Sequence, residues 1–354
     1  MSKKYIALSA FSSNNAGMLS VNLALTQLLP EKPVFANLET STKKFGGLLE
    51  YNNQIDKAAL DSAHVIGWGD FIHCIEWVKI DFHQAKQPIE PAIDRWYELY
   101  MLRNVQPAKA LSFGSTLYLN SIYQYCDPVY TRAFRELREK CSLLAFRDPV
   151  SVAQIKNLMN IEVTLGCDCA MFLQSDNVPG MNQIHLPTGA NQHGYIVVGI
   201  GRSGLSSEQA RLINGVSLAT GLPVLQVNWL NVSSDAEFLH ALNLVRNARL
   251  CISDIYHLCV NAIREKVPTF CFYRSGFAAN TLDDEKKRLL FYSYGLKDFL
   301  IDLDQLAFSK APQTWDLAVQ KLLHHASQTA VHETLHTHIP QHITRLREQL
   351  LNVI

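Results

Sequence analysis

Two loops carry residue types suited to holding a small anion and moving a proton. In Gly199-Ile200-Gly201-Arg202-Ser203-Gly204, glycines let the backbone approach a ligand closely. Arg202 offers a two-pronged guanidinium donor. The helix expected to begin at Ser206 adds unpaired N–H groups at its positive end. A phosphate or carboxylate suits such a loop, and a plain tight turn is the alternative use of the same residues. The dinucleotide-binding fingerprint is excluded, because its third glycine is missing and no acidic residue follows the next strand where a ribose would need one. The second loop is Cys251-Ile252-Ser253-Asp254-Ile255-Tyr256-His257. A strand ends at Ser253, and His257 falls in the first turn of the following helix. An imidazole there titrates near neutral pH and can serve as acid or base. The alternative is a capping Asp254 and a half-buried packing histidine.

Three further loops place a turn at a strand end: Val65-Ile66-Gly67-Trp68-Gly69-Asp70, Leu111-Ser112-Phe113-Gly114-Ser115-Thr116 and Phe146-Arg147-Asp148-Pro149. Each is a candidate wall of a polar pocket. Trp68, Trp77 and Trp96 form either a sugar-stacking platform or part of the core, the commoner use of tryptophan. His332 and His336 lie four apart in a histidine-rich tail, a spacing that suits a metal pair on a helix. No carboxylate or cysteine completes a ligand set nearby, so no metal site is expected. The eight cysteines form no Cys-x-x-Cys, and most lie in apolar patterns, as expected of buried thiols in a reducing cytosol. Cys167 and Cys169 on one strand would face opposite sides, unsuited to a disulfide or a shared metal.

Short apolar runs alternate with helical patterns almost throughout. Strands are expected at residues 5–9, 33–37, 64–69, 108–113, 142–146, 161–164 and 170–173, with helices such as 18–29, 93–102 and 129–140 between them. A polar stretch at 174–192 follows, and the alternation restarts with strands at 195–200, 223–227, 250–253 and 268–272. The intervening helices carry capping boxes at Ser206/Gln209 and Ser234/Glu237. This is the signature of βαβ units and parallel sheets. The expected organisation is α/β, two doubly wound Rossmann-like domains facing a cleft: 1–178, 190–312, and terminal helices over 313–354. Ligands of such sheets bind beyond the carboxyl ends of the strands, where the loops above lie.

Bulk properties narrow the function classes. At 354 residues the chain exceeds what one core usually serves. Its formal net charge of zero argues against a broad nucleic-acid surface. No apolar run reaches the roughly 20 residues of a membrane-spanning helix. The apolar stretch near the N-terminus is shorter than a secretory signal needs and reads as a buried strand. A cytoplasmic protein is expected.

Taken in order, these loops resemble the polysaccharide pyruvyl transferase family. The likeness runs through residues 14–23 (an Asn-x-Gly loop and helix), 61–70, Phe113-Gly114-Ser115, 145–158 and 167–173. It is strongest at Ser253-Asp254-Ile255-Tyr256-His257 followed by Val267-Pro268-Thr269-Phe270. It continues through 283–302 with Lys286, Lys287, Arg288 and Tyr294-Gly295-Leu296. Three positions depart from the family pattern: Leu258 replaces a glycine, Ile255 a serine or arginine, and Cys169 a proline. A bulky Leu258 implies a narrowed pocket, a different acceptor or lost activity.

The resemblance implies a GT-B-like pair of domains that transfers the enolpyruvyl carbons of phosphoenolpyruvate to a sugar, forming a pyruvate ketal. It implies His257 as the acid or base. Gly201, Arg202, Ser203, Lys286, Lys287 and Arg288 would hold the donor, and Asn15, Gly67, Trp68 and Gly114 would lie on the acceptor side. Phosphoenolpyruvate is the donor substrate and no cofactor is expected. The partner is a sugar or a lipid-linked oligosaccharide, with no nucleic acid. A nucleotide-sugar glycosyltransferase of the same architecture and a non-catalytic paralogue of a polysaccharide pathway are the rival readings.

Overall fold

The computed structural model describes residues 4–10, 15–38, 48–49, 52, 55–84, 88–186, 194–201, 204–276, 281–308 and 312–354. The chain divides into two compact units. Unit 1 holds residues 1–13, 18–173 and 345–354; unit 2 holds 14–17 and 174–344.

Unit 1 is built on a six-stranded parallel sheet of order β2-β1-β3-β4-β5-β6. The strands are β1 (Tyr5–Leu8), β2 (Val34–Ala36), β3 (His64–Trp68), β4 (Lys109–Ser115), β5 (Cys141–Phe146) and β6 (Thr164–Leu165). The N-terminal apolar run is the buried strand β1, as its length indicated. Parallel strands covered on both faces must be apolar throughout, which is why β1 and most of β4 carry no solvent face. The apolar run at 170–173, expected as a strand, is instead a 3-10 turn, Cys169–Phe172. Asp168 accepts from the Ala170 N–H at 3.0 Å and winds the chain there.

Unit 2 is built on a five-stranded parallel sheet of order β11-β10-β9-β7-β8. Its strands are β7 (Ile196–Gly199), β8 (Val224–Gln226), β9 (Leu250–Ser253), β10 (Thr269–Tyr273) and β11 (Leu300–Asp302). Helices between the strands start where the sequence signals them. The Ser206/Gln209 box opens helix Ser207–Thr220, and Ser234 caps helix Asp235–Arg246 by accepting from the Glu237 N–H. Helix Pro312–Ala326 packs on helix Ser207–Thr220, with Arg211 over the Trp315 ring at 5.1 Å. The tail over 313–354 is helical, with helices Pro312–Ala326, Thr329–Glu333 and Ile339–Leu351. Its last residues join unit 1, where Lys109 donates to the Ile354 carbonyl at 3.2 Å and Leu350 is fully buried.

In both sheets the strand order reverses beside the first strand: between β1 and β3 in unit 1, and between β7 and β9 in unit 2. At such a switch point the flanking loops diverge and open a crevice at the carboxyl edge, the usual ligand position in a doubly wound sheet. Seven of the eight cysteines are buried and all are free thiols, and Cys126 alone is exposed.

Candidate functional site

The unit 2 crevice is bounded by the ends of β7 and β9, where Gly199 and Ser253 stand in register. Ser253 locks the two strand ends together. Its hydroxyl donates to the Gly199 carbonyl at 2.7 Å and accepts from the Ile255 N–H at 2.9 Å. Asp254 does not cap the next helix. Its carboxylate accepts from the Gly201 N–H at 2.6 Å and from the Gln209 amide at 3.2 Å. It thereby ties the glycine loop, and the helix behind it, to the end of β9. Helix Tyr256–Arg264 starts with no side-chain cap and carries His257 in its first turn.

His257 is 9 % exposed and meets the Tyr256 ring edge-on at 5.1 Å. Its other wall is Gly17. A Cβ there would lie 2.4 Å from His257 Cβ and 2.6 Å from Nδ1, so only glycine permits this approach. Asn15 shapes the same turn by accepting from the Gly17 N–H at 2.8 Å. The structure thus brings Asn15 and His257 to one place within unit 2, through the glycine of the Asn-x-Gly loop. Beneath the imidazole, Asn261 donates to the His257 carbonyl at 2.7 Å, and Arg264 donates to Asn261 at 2.6 Å.

The basic residues of helix Thr281–Ser293 separate into three roles. Lys286 is half-buried, with its ammonium 5.5 Å from the Tyr256 ring centre, one aromatic ring removed from His257. Lys287 is buried, and donates to Asp284 at 2.8 Å and to the Phe272 carbonyl at 3.4 Å. Burial pulls its ammonium pKa down, but Cys271, Asp284 and Asp254 outweigh that and raise it above the ordinary lysine value. Arg288 is exposed, pairs with Glu285 at 3.0 Å and lies over the Tyr273 ring at 6.0 Å. Arg202 and Ser203 lie outside the described residues.

Leu258, the bulky departure beside His257, is fully buried. Its Cδ2 lies 2.2 Å from where a Cβ on Gly199 would stand. Its bulk is absorbed against β7, so the narrowed pocket expected of this residue is corrected to a core packing substitution.

Gly67, Trp68 and Gly114 lie in unit 1, at the ends of β3 and β4. Trp68 is fully buried, lies 6.0 Å from Phe113 and 6.2 Å from Phe172, and donates its indole N–H to the Val21 carbonyl at 2.7 Å. It offers a ligand no face, so the stacking platform gives way to core packing. Trp96 is likewise buried, donating to the Ile72 carbonyl at 2.8 Å. Gly114 has φ of +80°, and a side chain there would meet the Cys169 sulfur at 2.4 Å. Gly67 gives room to the Ser112 hydroxyl. Sequence reasoning understated Arg147, which is buried, donates to Asp168 at 3.0 Å and lies 3.7 Å from Asp70. Asp70 holds a φ of +46°, and strain of this kind in a non-glycine residue concentrates at functional sites.

The sequence profile described as "Polysaccharide pyruvyl transferase" matches residues 22–276, well over half of the chain. The chain belongs to the polysaccharide pyruvyl transferase family. That family is a transferase family, and its matched span includes the His257 loop and most of both sheets. No curated protein matches the sequence significantly. Among solved structures, the chain is similar to the UDP-GlcNAc 2-epimerase of Neisseria meningitidis bound to UDP-GlcNAc. The TM-score is 0.52 at 10% identity, over 99% of each chain. It is also similar to a protein of Listeria monocytogenes described as a UDP-N-acetylglucosamine 2-epimerase, with TM-score 0.50 at 8% identity, over 99% of this chain and 95% of that one. At such identities the likeness shows the fold, which is GT-B-like. Among the described residues, no group of three or more His, Cys, Asp or Glu is arranged to hold a metal, and no helix is long and apolar enough to cross a membrane.

Proposed function

We propose that this family member transfers the enolpyruvyl carbons of phosphoenolpyruvate to a sugar of a polysaccharide or its precursor, forming a pyruvate ketal. The observation that carries the reading is the run His257, Tyr256, Lys286. It sets an imidazole and an ammonium around one aromatic ring at the β7/β9 switch point. Phosphoenolpyruvate is a small dianion or trianion. In this reading Lys286 attracts one anionic end, while Arg202 with the N-terminus of helix Ser207–Thr220 attracts the other. Lys287 contributes a buried positive charge held by Asp284, and Arg288 is too committed to the surface to bind donor.

His257 then donates a proton to the methylene carbon as the enol ester is attacked at the central carbon by a sugar hydroxyl. The first hydroxyl's proton returns to the imidazole; a second hydroxyl of the sugar then displaces phosphate from the same carbon, the C–O bond electrons leave with phosphate, and that hydroxyl's proton leaves with it. The test is phosphate release from phosphoenolpyruvate in the presence of candidate acceptor sugars. His257→Ala should abolish release while the far-ultraviolet circular dichroism stays that of the wild type. Wild-type turnover in the variant would refute the role.

A further inference from the structure

We propose that Trp229 is a further binding residue of this site, its indole N–H donating a hydrogen bond to an anionic oxygen of the donor substrate. The inference rests on the phosphoenolpyruvate reading above and deepens it. Trp229 lies in the loop after β8, at the carboxyl edge of the unit 2 sheet, and is 1% exposed. Its Nε1 meets no acceptor among the described residues. The two other most deeply buried tryptophans, Trp68 and Trp96, both donate to backbone carbonyls. Burying an N–H without an acceptor is costly, and nearly all native buried donors are satisfied. An orphaned indole in a core that satisfies its neighbours points to an acceptor that arrives with a ligand.

Its position fits. The Trp229 carbonyl accepts from the Ala16 N–H at 3.0 Å. The next residue, Gly17, is the one against which His257 packs. Trp229 and His257 therefore flank the same helical turn, all of it within unit 2. Val227, two residues earlier, lies 3.3 Å from the Cβ position of Gly199 and so borders the end of β7. The donor is a dianion or trianion in the reading above, so a buried N–H at this turn meets a charged oxygen, the stronger acceptor, rather than a neutral sugar hydroxyl. The indole is covered in the unliganded chain, so engaging it requires the loop to shift. Asn228 and Asn231 bind each other twice, at 2.8 and 3.2 Å, which lets the segment between them move as one piece.

The test is isothermal titration of phosphoenolpyruvate into wild type and Trp229→Phe, with thermal unfolding of both unliganded proteins. Phenylalanine keeps an aromatic ring and removes the donor. The expected result is at least about tenfold weaker binding, or about 1.4 kcal/mol, with an unliganded melting temperature equal to or above that of wild type. Equal affinity in the two proteins overturns the assignment. So does a variant that melts lower without ligand while binding normally, since the N–H would then have a resident partner such as a buried water. If wild type itself fails to bind phosphoenolpyruvate, the functional reading falls and takes this inference with it; binding by wild type with an unaffected variant overturns the inference alone. Should the variant not fold, indole 15N labelling of the wild type decides. One of the five indole signals should move downfield on adding phosphoenolpyruvate, and five unmoved signals would overturn the proposal.

Discussion

Replacing Gly199 by alanine tests how the chain houses Leu258 beside its candidate acid. The new methyl carbon would stand 2.2 Å from Leu258 Cδ2 and 3.3 Å from Val227 Cγ1. Carbon atoms prefer separations of about 3.5–4.0 Å, so the first contact is severe. Neither partner can easily retreat, because Leu258 is fully buried and Gly199 sits in a strand paired on both sides. Overpacking of this kind costs about 1–3 kcal/mol. Leu258→Ala alone should cost about 2–5 kcal/mol through lost burial and the cavity left behind. In the double variant the alanine methyl enters the space the leucine leaves, and the clash disappears. The double variant should therefore be more stable than the two single losses predict, by at least about 1 kcal/mol. Urea unfolding of the four proteins, analysed as a double-mutant cycle, measures the coupling. Losses that add to within about 0.5 kcal/mol would refute the packing account. They would return Leu258 to the role of a residue that narrows the ligand pocket.

Two other perturbations have defined outcomes. Gly17→Ala gains up to about 1 kcal/mol of helix propensity and loses about 1–3 kcal/mol to the clash with His257. Stability should change little while the imidazole is displaced, and turnover should fall on the order of 100-fold; an unchanged kcat contradicts the close approach. His73 is buried against the Ser112 hydroxyl at 2.7 Å, and burial lowers its pKa to about 3. It is neutral when folded but binds a proton near pH 6.5 when unfolded, so the stability it contributes is present above that pH and is lost as pH falls toward 3. Between pH 6.5 and 5 the wild type should lose about 2 kcal/mol more than His73→Gln in urea unfolding. Parallel losses would show that His73 is not held neutral.

Much of the architecture was legible because parallel strands buried on both faces must be continuous apolar runs. The helices between them announce their starts through Ser206/Gln209, Ser234 and the Asp148-Pro149 pair. Several of the failures share a physical cause: the deciding partner is remote in sequence. The apolar run at 170–173 was too short to distinguish strand from turn by pattern. Asp254 looks like a local cap, but its main partner is Gly201, 53 residues away. Trp68 carries no mark of its burial between Phe113 and Phe172. Leu258 looked like an intrusion until Gly199 proved to be the space that receives it. Lys286, Lys287 and Arg288 are adjacent and alike in sequence, and only the fold assigns one to the ring of Tyr256, one to a buried carboxylate and one to the surface. An unsatisfied indole such as that of Trp229 has no sequence signature.

The most direct measurement is the thermal unfolding of the wild-type protein with phosphoenolpyruvate and, separately, with UDP-, GDP- and CMP-sugars. A ligand at 100 times its Kd adds about 2.7 kcal/mol, a rise of roughly 4 °C for a protein of this size. The account predicts that rise with phosphoenolpyruvate and none with the nucleotide sugars. A rise with a nucleotide sugar and none with phosphoenolpyruvate would contradict it.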